Sequence, residues 1–241
     1  MASPIGNLGD LSPRAVQGLA EADFWIVEDT RVSGKLAYHL GLKKPMRVLT
    51  QHTQDYQIDR LVAELKDSVG ILLTDGGSPA ISDPGAILCD HCQEAGIEVD
   101  AIPGPSAVTN ALALSGFFAQ RFAFLGFLPR KPGPLRAELA AFWDSTATVV
   151  VFESPFRIED LLAAASDALG PRRYAICREM TKMHQQVFRA KLPAIPTEAQ
   201  VPRRGEFTIV FEGLRRKDAE SDRGTIRPDF PLGEVSEEEP E

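Results

Sequence analysis

Residues Thr74 to Gly85 read Thr-Asp-Gly-Gly-Ser-Pro-Ala-Ile-Ser-Asp-Pro-Gly, and they constrain the chain more than any other stretch. Three glycines, two prolines and two aspartates in twelve residues exclude the interior of a helix or strand. An apolar run, Ile71-Leu72-Leu73, precedes them, and a helical pattern begins near Pro84. The stretch therefore reads as a long turn at the carboxyl end of a strand. In open α/β sheets that is where ligands bind. Its glycines let backbone groups approach a ligand, and Asp75 and Asp83 add fixed negative charge. The phosphate-loop pattern G-x-x-x-x-G-K-[ST] is absent, so a neutral or cationic ligand suits the turn better than a triphosphate.

Around this turn the chain alternates between strand and helix patterns. Ser12-Pro13 reads as the cap and first residue of a helix with Val16, Leu19 and Ala20 on its apolar stripe. Phe24 to Val27 is a short strand ending in Glu28-Asp29-Thr30-Arg31, a polar cluster that marks a candidate site. A helix to Gly41, a strand at Met46 to Leu49, a helix carrying Ile58, Leu61, Val62 and Leu65, and strand 71–73 follow. The next helix stops at Gly96, and Ile97 to Ile102 is expected to be a strand leading into Pro103-Gly104-Pro105-Ser106-Ala107. These patterns predict an α/β domain over residues 1–116 with a mostly parallel sheet.

After a join at 117–121, residues 121–214 predict a second α/β domain with a mixed sheet. Strands are expected at Phe122 to Phe127, Ala147 to Phe152, Tyr174 to Cys177, Gln186 to Ala190 and Phe207 to Phe211. The segment 215–241 is polar and acidic and reads as a disordered tail. Proline–glycine turns recur mainly in the first half, so one rim of its sheet is built from tight loops facing a basic second domain.

Charge divides in the same way. Residues 1–120 hold 8 basic and 15 acidic side chains, residues 121–217 hold 16 and 10, and residues 218–241 hold 2 and 9. A polyanion can meet the basic second half although the formal net charge is −8. The apolar runs are too short for a membrane span, and no signal-peptide core opens the chain. Three cysteines argue for a reducing, cytoplasmic setting. Cys89-Asp90-His91-Cys92 spells C-x-x-C within a helical pattern and lacks a second ligand pair, so it reads as core packing. H-E-x-x-H, G-x-G-x-x-G and G-x-S-x-G are absent, and no metal site is expected.

Seven blocks occur in one order: 2–10 (Ala-Ser-Pro-Ile-Gly-Asn-Leu-Gly-Asp), 28–31 (Glu-Asp-Thr-Arg), 82–85 (Ser-Asp-Pro-Gly), 103–107 (Pro-Gly-Pro-Ser-Ala), 126–131 (Gly-Phe-Leu-Pro-Arg-Lys), 153–155 (Glu-Ser-Pro) and 178–182 (Arg-Glu-Met-Thr-Lys). Together they resemble the ribosomal RNA small subunit methyltransferase I family, the cytidine 2′-O-methyltransferases of the tetrapyrrole methylase superfamily. The resemblance spans about residues 2–213. It implies two α/β domains of the class III methyltransferase kind with S-adenosylmethionine in the cleft between them. It also implies a homodimer and methylation of a ribose hydroxyl in 16S rRNA of the small ribosomal subunit.

By the same resemblance, the cofactor is held by Pro4 and Gly6, by Asp75, Gly76, Gly77 and Pro79, and by Ser106 and Ala107, with Phe152 and Met180 as apolar walls. Glu28, Asp29 or Asp83 is the candidate base, and Arg31 or Lys182 the candidate oxyanion stabiliser. Arg130, Lys131, Arg157 and Lys182 are the candidate RNA-binding residues. Two alternatives stay open: methylation of a tetrapyrrole carbon, and a cofactor- or RNA-binding paralogue without turnover.

The chain departs from the family pattern in four places. Only three residues precede Pro4 where members usually carry an apolar strand, and an added apolar segment there is expected to stabilise the first sheet. S-D-A-G-T-P is Thr74-Asp75-Gly76-Gly77-Ser78-Pro79. His-Glu-His-Asn becomes Thr50-Gln51-His52-Thr53, and E-S-P-H-R becomes Glu153-Ser154-Pro155-Phe156-Arg157.

Overall fold

Strand β1 (Phe24–Val27) is buried at every position, which a strand achieves only when both faces of its sheet are covered. In the computed structural model, which describes residues 1–215, β1 lies between β2 (Met46–Val48) and β3 (Gly70–Leu72), and both pairings are parallel. The two-residue period of the strand divides its side chains between two cores. Trp25 and Val27 pack with Leu19, Leu36 and Ala37, from helices α1 (Pro13–Glu21) and α2 (Thr30–Leu40). Phe24 and Ile26 pack with Ile58, Leu61 and Leu88, from α3 (Asp55–Leu65) and α4 (Gly85–Glu94). Ser12 caps α1 by accepting a bond from Ala15 N–H, 3.1 Å, with Pro13 at its first position.

Two local expectations need correction. The buried face of α1 is Ala15 and Leu19, four residues apart, while Val16 and Ala20 are exposed. The run Ile97 to Ile102 forms no strand. A strand needs a ladder of backbone bonds to a neighbour, and only isolated bonds form here. Met1 donates its amine to Leu72 O at 2.9 Å, and Ala2 N–H bonds Ile102 O at 3.1 Å. Ser3 and Gly77 exchange two backbone bonds, 2.8 and 3.0 Å. These are single contacts, too few for a ladder.

By internal contacts the chain divides between Ala107 and Val108, at the head of α5 (Ala107–Ser115). The sequence pattern predicts a first domain ending at Gly116. The second unit continues with β4 (Phe122–Phe127), α6 (Pro132–Ala140), β5 (Thr148–Glu153), α7 (Ile158–Leu169), β6 (Arg173–Arg178), β7 (Gln186–Lys191) and β8 (Phe207–Phe211). Its sheet runs β4-β5-β8-β6-β7, with β4 parallel to β5 and the other pairs antiparallel, the mixed sheet that the sequence predicts. Val149, Val151, Ile176 and Ile209 meet α6 and α7 in its core. On the opposite face the Cys177 thiol donates to Ala111 O of α5 at 3.8 Å.

The disordered-tail expectation falls on residues outside those described, apart from Arg215. Among the described residues no helix is long and apolar enough to cross a membrane. Cys92 is buried in the α3–α4 core, as the packing reading of the C-x-x-C requires.

Candidate functional site

The first unit gathers its proline–glycine turns on the rim where β1 and β3 end. Gly76 and Gly77 follow β3 and lie against the Pro4–Gly6 turn. A Cβ on Gly76 would stand 3.5 Å from Pro4 O and 3.8 Å from Ile5 Cα. Gly77 has φ 92°, a left-handed conformation that favours glycine. A third loop joins them, since a Cβ on Gly104 would be 3.1 Å from Ala2 Cβ and one on Gly77 4.0 Å from Pro105 O. Ser3 locks the arrangement by donating its hydroxyl to Thr74 O at 2.9 Å. Pro4, Gly6, Asp75, Gly76, Gly77 and Pro79 thus converge, with Ser106 and Ala107 following Pro105 at the head of α5.

Asp83 shapes the loop from within. Its carboxylate accepts bonds from the backbone N–H groups of Ala80 (3.0 Å), Ile81 (3.2 Å) and Gly85 (2.7 Å). Ala80 and Ser82 both sit at φ 64°, conformations that non-glycine residues keep only when surrounding bonds enforce them. Asp83 thereby serves the loop's geometry with most of its acceptor capacity.

The polar cluster after β1 sorts itself by chemistry. Asp29 caps α2 through Arg31 N–H, 2.7 Å, and its carboxylate grips the Arg31 guanidinium at 2.5–3.0 Å. Those bonds hold the Asp29 carboxyl well down, at about 2. A carboxylate so reluctant to take a proton is a poor base. Arg31, in turn, already has its charge answered.

Glu28 differs. It is half-buried, and burial, followed by the charges of Asp75 and Asp83, pushes its carboxyl above the ordinary range. One backbone bond, from Asp75 N–H, opposes that shift. Asp75 is raised for the same kind of reason, burial first and then the Asp29 charge, while accepting Asp29 N–H. The ends of β1 and β3 are thus laced by reciprocal carboxylate-to-backbone bonds. A group whose proton affinity is raised towards neutrality suits proton transfer.

In the second unit the Arg178-Glu179-Met180-Thr181-Lys182 block builds one tight turn. Arg178 donates to Arg204 O at 2.7 Å and His184 O at 3.1 Å. Glu179 accepts Glu206 N–H at 2.9 Å, and its carboxylate packs where a Cβ on Gly205 would lie 2.6 Å away. Met180 is buried between residues at φ 50° and φ 67°. Lys182 is paired with Glu179 at 3.0 Å and Glu206 at 2.9 Å, so its charge is answered within the turn. Arg157 bonds Pro129 O at 2.9 Å and approaches Glu153 at 3.4 Å. Phe152 stacks with Phe124 and Phe127 at centroid distances of 4.8 and 5.6 Å. Arg130 and Lys131 are exposed and have no side-chain bond or ion pair among the described residues.

Sequence reasoning misses Arg178 and Gly205, which fix the turn around Met180, and the lacing of Asp75 to Glu28. The signal for the first is the buried arginine beside a Glu-x-x-Lys pair. The second is a contact between strand ends that no local pattern carries.

A unit with glycine loops at its parallel strand ends and a second unit with a mixed five-stranded sheet follow one another in a chain that matches a known group of methyl-transferring proteins. The chain agrees with the pattern of the Tetrapyrrole (Corrin/Porphyrin) Methylases over residues 2–196 and belongs to that family. Ribosomal RNA small subunit methyltransferase I of Xylella fastidiosa is 38% identical over 224 residues, which cover 91% of this chain and 82% of that protein. The protein of the same name from Thermotoga maritima is 39% identical over 213 residues, 88% of this chain and 96% of its own. The fold matches the crystal structure of the methyltransferase CobJ with a TM-score of 0.64 at 18% identity, covering 88% of this chain and 92% of that one.

Proposed function

We propose that the protein transfers a methyl group from S-adenosylmethionine to the 2′-oxygen of a cytidine ribose in 16S rRNA of the small ribosomal subunit. The observation that carries this reading is the rim of the first unit, a bare glycine backbone edged by Glu28, Asp75 and Asp83. It occurs in a chain 38% identical to a protein named for small-subunit rRNA methylation. The donor set fits a cationic cofactor: backbone groups on Gly76 and Gly77 leave room for close approach, and the charges nearby are negative. When bound, that cofactor supplies a methyl group already activated on a sulfonium sulfur.

The chain's own task is then alignment and proton removal. The Pro4–Gly6, Asp75–Pro79 and Ser106–Ala107 loops hold the cofactor through backbone groups. Glu28 takes the ribose hydroxyl proton on its carboxylate, since Asp29 and Asp83 are committed to local bonds. Arg130 and Lys131 meet the phosphates, because their charges are uncommitted, whereas those of Arg157 and Lys182 are shared with carboxylates. The same reading makes the protein a cytoplasmic homodimer.

The test is label transfer. Small subunits lacking the modification, incubated with methyl-labelled S-adenosylmethionine and the protein, should yield label as 2′-O-methylcytidine after digestion. Label in a base, in ribosomal protein or in an added tetrapyrrole would overturn the reading.

A further inference from the structure

Two phenylalanines of the second unit stand in water where two uncommitted cations also stand. Phe156 is 86% exposed and Phe127 69%. A single exposed hydrophobe needs no explanation. These two sit at neighbouring strand ends, and that placement has a visible cause.

Phe127 reaches its position through a bulge. On β5, Val150 and Phe152 point to one face, and their partners on β4 are Phe124 and Phe127, three residues apart rather than two. Gly126, at φ 63°, absorbs the extra residue. Without the bulge the alternation would turn Phe127 to the other face. With it, Phe127 lies against Phe152, which in turn meets Phe124 edge-on. One side of the Phe127 ring is thereby supported while the residue remains mostly exposed.

Phe156 sits in the short turn after β5. Ser154 caps that turn through Phe156 N–H at 3.4 Å, and Glu153 accepts Ser154 N–H at 2.7 Å. Arg157 then ties the turn to the end of the neighbouring parallel strand, donating to Pro129 O at 2.9 Å. Arg130 and Lys131 follow that carbonyl directly. One end of the β4–β5 pair therefore presents one supported ring, one exposed ring on a braced turn, and two free positive charges.

Rings on a basic surface are the means by which proteins hold single-stranded nucleic acid: every base has a stacking face, and the cations follow the phosphates. We propose that Phe156 and Phe127 stack on unpaired bases of the substrate RNA, with Arg130 and Lys131 on the adjoining phosphates. This rests on the RNA-methylation reading and adds that the substrate is recognised as single-stranded. A duplex keeps its bases stacked on one another and offers the rings nothing.

The experiment measures binding of the full chain to a fluorescent single-stranded RNA dodecamer containing the modified cytidine, to the same dodecamer annealed to its complement, and to unmodified small subunits. Phe156→Ala and Phe156→Leu should each weaken single-strand binding by roughly tenfold, and Phe127→Ala by a similar factor, within the range typical of a lost stacking contact. Phe156→Tyr should restore it to within a few-fold. KM for RNA should rise with kcat and cofactor affinity kept. The phenylalanine variants should leave the salt dependence of binding unchanged, whereas Arg130→Gln and Lys131→Gln should each flatten its logarithmic slope by about one.

Wild-type affinity in Phe156→Leu, or equal sensitivity to the substitutions on duplex RNA, would overturn the proposal and leave methylation standing. So would a loss confined to whole subunits, which would place the rings against ribosomal protein. Failure of the wild-type chain to bind or methylate any ribosomal substrate would overturn both readings.

Discussion

Replacing Gly77 with valine should separate cofactor binding from folding. Gly77 has φ 92°, and a β-branched residue held in such a conformation costs ~1–3 kcal/mol. Space is not the obstacle to the first added carbon: a Cβ there would meet Ile5 Cγ2 at 3.6 Å and Pro105 O at 4.0 Å, both ordinary contacts. At roughly 2–4 °C per kcal/mol for a chain of this size, Tm should fall by roughly 2–12 °C. Gly96 supplies the control, since it has φ 72° and a Cβ there would meet nothing within 4 Å. Gly96→Val carries the same kind of backbone strain beyond the end of α4, away from the loop. Calorimetric titration with S-adenosylmethionine, at a temperature where both variants are folded, should show Gly77→Val weakened by at least ~10-fold and Gly96→Val unchanged. Unchanged affinity in folded Gly77→Val would move the cofactor elsewhere. Equal loss in both variants would trace the effect to strain rather than to the site.

Further outcomes follow from particular contacts. Glu28→Gln should lower kcat by ~10²–10⁴ with cofactor Kd nearly kept, as single-turnover methyl transfer will show. The acid limb of the pH–rate profile should lie above the ordinary carboxylate range, because burial, Asp75 and Asp83 raise the Glu28 carboxyl; Asp75→Asn should move that limb to lower pH. The sign for stability is opposite: a carboxyl raised in the folded state binds more protons there, so its contribution is lost as pH rises through that window, and Glu28→Gln should remove this dependence from thermal melts. Gly213→Ala should destabilise by several kcal/mol in urea titration, ~3 or more, because its Cβ would overlap the Thr146 carbonyl of the adjoining backbone.

The strand–helix alternation was legible in the sequence because it rests on local periodicity. β1, β2, β5, β6, β7 and β8 fall within a residue or two of the expected runs. The Ile97 to Ile102 run misleads because apolarity marks a segment able to pair, while pairing depends on a neighbour from elsewhere in the chain. The tight loops were legible from glycine and proline alone, and Gly77 shows why: its backbone angle requires what its identity permits. The roles of the charged residues were not. Asp29, Arg31 and Lys182 look as free in the sequence as Glu28, and only their spatial partners show which charges are already answered. The exposure of Phe127 is set by a bulge at Gly126, which a string of residues records only as one more glycine in a strand.

The central claim is that a ribose hydroxyl accepts the methyl group. Its most direct measurement compares two reconstituted small subunits that differ by one oxygen, cytidine against 2′-deoxycytidine at the target position, with methyl-labelled S-adenosylmethionine and the wild-type protein. Label is expected in the first as 2′-O-methylcytidine and none in the second, with binding to both retained. Equal labelling of the two would place the methyl group on some other atom and contradict it.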